Sequence, residues 1–423
     1  MAQNRTIRRR NICAILLVWI TVLLSFNTVA VGAKSELDNS SRRCRTLRSM
    51  ARIYIACGDY AKAQSLAEQA LTLAQQTNVS DTELALSLLD LAYIYRNQGN
   101  PDRAEKMCEL GLKLQQKVYY EEHPYIAYTL RILASIHKEQ ARYRQAGEDI
   151  QLALNIMKKS HLYDHKPLAP FYIDFARILV AQGRFADAES TYQKALEMIN
   201  QTYGPDHLYT AKVLTDLAGL YVLQGRYRSA EKLLERALPI QEKIYGPDNH
   251  LLTPVWLTMS SIRTANKEFA QAQDLLQKAL EAVENKLGAG HPLAGKILNS
   301  LGELYITIGR YGQAESFCRR ATQVLKDSLG LHNDYTAVAF NNLARVCIEK
   351  EKYVEAKDLC LTAKQTLEEI FSADHPAVTK VLSTMAMLRQ KTRPLPSVAK
   401  LDQVVGISTE LVSGGSEGVQ QIQ

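Results

Sequence analysis

The chain has 423 residues, 22% charged and 46% hydrophobic, with a formal net charge of +7. That length allows two or three ordinary domains or one long repeat array, and 21 glycines and 12 prolines exclude a large low-complexity region. Arg5, Arg8, Arg9 and Arg10 supply four of the positive charges; without them 47 basic residues face 44 acidic ones, a balance that excludes nucleic-acid binding by bulk charge.

The N-terminus opens with the basic stretch "RTIRRR", followed by an apolar run from Ile12 to Phe26 and by "VGA" at Val31–Ala33. These are the three parts of a secretory signal. Ile12 to Ala33 is also long enough to cross a bilayer uncleaved. Residues 1–33 are therefore expected to be a signal peptide or an N-terminal membrane anchor. Either places the body outside the cytoplasm (secreted, periplasmic or membrane-anchored), because the arginines hold the N-terminus in. Residues 34–43 read as a linker.

From residue 44 the chain is periodic. One slot holds Tyr60, Pro101, Tyr143, Phe185, Tyr227, Phe269, Tyr311 and Tyr353, first 41 and then always 42 residues apart. Three residues on, the slot is alanine every time: Ala63, Ala104, Ala146, Ala188, Ala230, Ala272, Ala314 and Ala356. A second small-residue column runs Ala51, Ala92, Ala134, Ala176, Ala218, Ser260, Gly302, Ala344 and Ala386. Repeats of this length mark a stacked array rather than a fold of unique elements.

Each unit reads as a helical hairpin. In the fifth, Val213, Leu214, Leu217, Leu220 and Tyr221 recur at helical spacing. Gly225 then supplies a left-handed residue that ends the first helix, and the second carries Ala230, Leu233, Leu234, Ala237 and Leu238. Ala218 and Ala230 let the helices cross closely, and Tyr227 is expected to plug the hairpin. Pro239 should kink the second helix at a cost of about 3 kcal/mol. No strand-like alternation competes. Each hairpin leaves an apolar face, so neighbours must stack. The columns give eight hairpins and a final unpaired helix at about Ala377 to Gln390, across residues 44–391. Residues 392–423, with "RPLPS" and "SGGSEG", are too polar to bury a core and are expected to be a disordered tail.

Leu217, Ala218, Tyr221, Ala230, Leu234 and Ala237 resemble the tetratricopeptide repeat, and the 42-residue period with Gly-Pro-Asp-His between units resembles its kinesin light chain variety. The resemblance implies an all-α, right-handed solenoid of about eight helix-turn-helix repeats plus a C-terminal capping helix. The kinesin light chains' coiled coil has no counterpart here, so a motor role is not implied.

Little in the chain points to chemistry. His123, His165, His207, His291 and His375 share one column, with His250 and His332 one residue off it. Copies one repeat apart lie on the order of 10 Å apart, too far to gather around one metal ion. These residues are expected to shape and cap the start of each first helix. The cysteines lack CxxC spacing. If Ala321 packs on Ala344, antiparallel helices set Cys318 opposite Cys347, a candidate disulfide outside the cytoplasm. No Walker loop, GxGxxG, GxSxG or HExxH is present. No catalysis, metal or cofactor is expected.

The resemblance also implies that the first helices line a concave groove. Transferred to this sequence, its lining includes Arg45, Arg48, Arg52, Tyr93, Arg96, Asn97, Tyr128, Arg131, Lys138, Arg177, Lys212, Asn299, Asn341 and Arg345. Across all such slots basic residues outnumber acids eleven to three. Arginine with tyrosine suits an extended acidic peptide or protein segment: forked bonds to carboxylates, aromatic faces for apolar anchors. The expected role is a non-catalytic scaffold with a protein or peptide partner and no nucleic acid, touching membrane only through residues 12–33 if these are uncleaved. The alternatives are a membrane-anchored assembly or accessory factor of an envelope complex, or a regulatory subunit of a separate enzyme.

Overall fold

The computed structural model describes residues 36–77, 80–160 and 168–392. The leader expected at 1–33 and the tail expected beyond Thr392 lie outside the described residues. Among the described residues there are seventeen helices and no strand, and no helix is long and apolar enough to cross a membrane.

The chain divides into two compact units, one running to Ile178 and including Ser190–Pro205, the other taking Leu179–Glu189 and everything from Asp206. The first unit contains α1 (Glu36–Ala56), α2 (Tyr60–Gln76), α3 (Asp81–Asn97), α4 (Pro101–Val118), α5 (Pro124–Glu139) and α6 (Tyr143–Lys159). Helices α7 (Ala169–Ala181) and α8 (Phe185–Tyr203) are divided between the units. The second unit continues with α9 (Leu208–Leu223), α10 (Tyr227–Tyr245), α11 (Thr253–Ala265), α12 (Phe269–Leu287) and α13 (Pro292–Ile308). It closes with α14 (Tyr311–Leu329), α15 (Asp334–Glu349), α16 (Tyr353–Ile370) and α17 (Pro376–Thr392).

Within each unit the contacts are those of stacked hairpins. In the first, α1 pairs with α2, α3 with α4 and α5 with α6, and each second helix then packs on the next first helix. The second unit repeats this from α9 to α17. The cause lies in the alanine columns. All eight alanines from Ala63 to Ala356 are fully buried, as are Ala51, Ala92, Ala134, Ala176, Ala218 and Ala344. A larger side chain at either crossing would force the helix axes apart.

The joints between repeats are built by capping. His123, His207, His291 and His375 are N-caps, each accepting at Nδ1 from the backbone N–H two residues on. Where the histidine is displaced by one residue, Asn249 and Asn333 occupy the same slot and do the same with Oδ1. The helix ends follow suit: Gly225 has φ +73°, as a left-handed C-terminal residue requires. The same slot in other repeats holds Ala141, Lys267 and Glu351, at φ 60°, 65° and 61°.

A second periodic device ties neighbours together. In four of the eight repeats the residue after the buried alanine is a glutamate: Glu105, Glu189, Glu231 and Glu315. Arg142 donates to Glu105, Arg226 to Glu189 at 2.9 Å, and Lys352 to Glu315 at 2.6 Å; Arg263 lies 3.0 Å from Glu231. The bonds from Lys350 and Lys352 hold the Glu315 carboxyl down at about 2.

The structure departs from the sequence reading at three places. Helix α1 begins at Glu36, inside the stretch 34–43 expected as a linker. Tyr227 is 36% exposed and does not plug its hairpin; Ala218 and Ala230, both fully buried, form the crossing. The sixth repeat starts with a 3-10 turn, His250–Leu252, before α11, since Pro254 has no N–H to bond the His250 carbonyl; Asn249 rather than His250 makes the cap.

Candidate functional site

In the first unit the residues expected to line a groove sit on α1, α3, α5 and α7. Between α1, α3 and α5 opens a cavity of about 360 Å3. Its wall is apolar and aromatic: Ile55, Leu86, Leu89, Tyr93, Tyr125, Tyr128 and Ile132. Arg52, Asp90 and Gln115 add the polar groups, and Gln115 is fixed by the Thr129 hydroxyl donating to its Oε1 at 2.6 Å.

Acids from the neighbouring helix answer the arginines on the groove side. Arg48 Nε donates to Asp90 Oδ2 at 2.8 Å and its Nη1 to Glu83 Oε2 at 3.0 Å. Arg52 Nε takes the other Asp90 oxygen at 3.0 Å, and Arg45 Nε lies 3.5 Å from Glu83. Arg48 is only 5% exposed, so it joins α1 to α3 rather than lining a surface; two acids within bonding reach make its burial tolerable.

A second cluster gathers around Asp174 of α7. Arg131 Nη1 donates to its Oδ2 at 2.7 Å and Arg177 Nη1 to its Oδ1 at 3.2 Å. Burial pushes the Asp174 carboxyl up, but Arg131, Arg177 and Arg96 outweigh it and hold it below the usual carboxylate range. Arg96 lies over the Tyr93 ring at 5.0 Å, donates to Ser135, and stands 3.6 Å from Glu139. Arg131 lies over Phe171 at 5.4 Å, and that ring meets Tyr128 at 5.3 Å. The aromatic cavity and the two charge clusters therefore share side chains.

Of the expected lining residues, the structure brings Arg52, Tyr93 and Tyr128 to the cavity and gathers Arg96, Arg131 and Arg177 around one acid. Asn97 is already used, accepting from Tyr60 of the preceding hairpin at 3.4 Å and donating to the Tyr93 carbonyl at 2.7 Å. Lys138 is half-buried at the end of α5, outside the cavity wall. In the second unit Lys212 lies 5.8 Å from the Tyr245 ring. Asn299 accepts from Asn342 at 3.0 Å, and Arg345 donates to Asn342 at 3.3 Å. Asn341 is 1% exposed and, like Arg48, cannot line a groove.

The sequence reading missed Ile55, Tyr125 and Ile132 on the wall, and the acids Glu83, Asp90 and Asp174. A signal was present for two of them. Asp90 and Asp174 both stand two residues before the small column, and each meets the arginine three before that column in the preceding repeat. Asn299 and Asn342 repeat the pattern with neutral groups.

Among the described residues no group of three or more histidines, cysteines or acids is placed to hold a metal ion. Cys318 and Cys347 are free, buried thiols rather than a disulfide. Burial pushes Cys318 up to about 12 and Cys347 to about 11.

A tetratricopeptide repeat model matches residues 42–107, 83–159, 168–243 and 252–327, and a second one matches 336–377. No curated protein matches the chain. Among solved structures, a Rap protein complexed with competence and sporulation factor is similar at 15% identity, covering 76% of this chain and 90% of that one, with a TM-score of 0.52. A Podosopora anserina protein described as a kinesin light chain with nearly identical TPR-like repeats is 24% identical, over 48% of this chain and 97% of that one, with a TM-score of 0.38. BtubC of P. vanneervenii is 18% identical, over 54% and 92%, with a TM-score of 0.41.

Proposed function

This chain belongs to the tetratricopeptide repeat family, whose arrays are protein-interaction scaffolds, and from that premise we propose that its first unit grips an extended segment of a partner protein. The carrying observation is the cavity between α1, α3 and α5. An aromatic or large aliphatic side chain of the partner fills it, against Leu89, Tyr93 and Tyr128. The partner's acidic residues then meet the arginines flanking the cavity, chiefly Arg52, whose side chain is 57% exposed. Because Glu83, Asp90 and Asp174 already occupy much of the cationic chemistry, the apolar anchor supplies most of the affinity and the acids supply register.

Selection from a random peptide library on the full-length chain tests this reading. The expected consensus is a large apolar residue next to an acid, with binding lost in Tyr93→Ala and Tyr128→Ala and kept in Val354→Ala, a site 79% exposed. Selected peptides that bind all three variants equally would overturn it.

We further propose that the scaffold works outside the cytoplasm. The basic stretch Arg5–Arg10 and the apolar run Ile12–Phe26 support this. A C-terminal reporter active only after export should be active; removal of residues 2–33 should silence it. Activity that survives the deletion counts against export.

A further inference from the structure

Six first helices of this array start on a column of 42-residue period, whose described members fall into two chemical kinds. His123, His207, His291 and His375 accept at Nδ1 from the amides of Tyr125, Tyr209, Leu293 and Ala377, at 3.2, 3.2, 3.1 and 3.2 Å. Asn249 and Asn333 accept at Oδ1 from Leu251 and Tyr335, both at 3.0 Å. An imidazole nitrogen accepts only while it carries no proton, so these four rings are neutral and protonated at Nε2. Their next proton must go to Nδ1. It replaces an acceptor by a donor facing an amide N–H, and puts positive charge at the positive end of a helix dipole. Asparagine in the same slot has no such proton to gain.

We propose that the histidine-started repeats are acid-released joints, while the asparagine-started repeats between them are not. The surroundings of each ring fit. His123 is stacked on Tyr119 at 4.1 Å, with Tyr120 and Tyr125 at 5.3 and 5.0 Å, and Glu121 and Glu122 precede it in the turn. His207 has the Tyr209 ring at 5.2 Å and follows Asp206. His291 shares its junction with His250 and Lys286, so its added charge meets two other basic groups. His375 is stacked on Phe371 at 3.7 Å and bonded to the Ala181 carbonyl, with Asp334 and Asp374 close enough to favour charge. Burial holds His123 and His375 below the usual histidine range, which moves their release toward mildly acid pH.

One joint lies at the cavity. The amide that His123 holds belongs to Tyr125, which lines the wall, and α5 also carries Tyr128 and Ile132. Protonation of His123 therefore loosens one side of the cavity. That consequence for binding rests on the groove reading above; the joints do not.

Hydrogen exchange of the full-length chain with residue resolution tests the joints, comparing pH 7.5 with pH 5.0 as protection relative to intrinsic rates. At pH 5.0 the amides of Tyr125, Tyr209, Leu293 and Ala377 should lose roughly fivefold of their protection, the worth of one cap. Measured relative to mid-helix amides such as Leu217 and Leu301, which carry any loss of stability of the whole unit, those of Leu251 and Tyr335 should hold. His291→Asn, which installs the array's own alternative, should keep Leu293 protected at pH 5.0. Equal behaviour of all six capped amides, or loss at Leu293 in His291→Asn, overturns the proposal. Neither outcome depends on whether the cavity binds peptide, so failure of the groove and failure of the joints are read separately.

Discussion

Arg48 and Asp90 stand one repeat apart in sequence, yet the arginine's Nε donates to the carboxylate at 2.8 Å and Arg52 holds its other oxygen at 3.0 Å. With side chains only 6% and 10% exposed, this is a rung between α1 and α3 rather than a surface ion pair. Asp90→Ala should lower stability by about 2 kcal/mol, because it leaves the buried Arg48 guanidinium with Glu83 as its remaining acid. The double variant Arg48→Met with Asp90→Leu should recover most of that loss, since an apolar pair of similar size does not need charge compensation. Urea denaturation midpoints decide; an Asp90→Ala midpoint equal to the parent's would show that the rung carries no stability.

The rung also marks the limit of what the sequence makes legible. The alanine columns could be read because two helices crossing closely impose the same small volume at the same slot in every repeat. The cap column could be read because a helix start needs an acceptor every 42 residues. Asp90 and Asp174 could not be recognised one at a time: on a helix surface an acid facing water and an acid facing the preceding repeat's arginine look alike. Counting charges on the lining slots alone therefore overstated the groove's basic character. The cavity was hidden for another reason, since it depends on the spacing of α1, α3 and α5 and on no neighbour filling the space beside Leu89. Tyr227 misled because a column of aromatics suggests burial, whereas Tyr60 and Tyr143 are buried and Tyr227 is not.

The turn within each hairpin offers a gain. Lys267 and Glu351 hold φ of 65° and 61°, where Gly225 and Gly309 stand in sister repeats. Left-handed backbone costs a side-chain-bearing residue about 1 kcal/mol more than glycine, partly offset by glycine's greater freedom when unfolded. Lys267→Gly and Glu351→Gly should each raise stability by about 0.5 kcal/mol, and Gly225→Ala should lower it by about 1 kcal/mol. Thermal melts of the three variants against the parent check the signs, and a destabilised Lys267→Gly would contradict the strain argument.

Helices α13 and α14 cross closely. A Cβ on Gly302 would overlap Cys318 Sγ, and one on Gly295 would lie 2.7 Å from Leu325 Cγ. Gly302→Ala should cost about 2 kcal/mol by overpacking, and Cys318→Ala in the same chain should relieve much of it, because the methyl then occupies the space the sulfur leaves. The pair is a double-mutant cycle with a required sign: the second substitution must be less harmful, or helpful, in the presence of the first. Additive losses would mean that the two side chains do not share this space.

Acid should weaken the second unit through His250. Its side chain is buried at 5% exposure with Nε2 lacking a hydrogen-bond partner, and burial, then Lys286 and His291, push its pKa down to about 4. In the unfolded chain the ordinary value is about 6.5. Between these values the unfolded state binds the extra proton, so the stability is fully present above about pH 6.5 and is lost as pH falls toward 4. Glu315 acts lower: its folded value of about 2 means its contribution is lost only below the ordinary carboxylate range. A window from pH 6.5 to 5.0 therefore isolates the histidines. Over it the parent should lose on the order of 1 kcal/mol through His250, read as a falling melting temperature. His250→Leu, which copies Leu208 from the repeat before, should flatten that fall by a few degrees while leaving the Asn249 cap in place. Parallel slopes for parent and variant would assign the acid sensitivity to other groups.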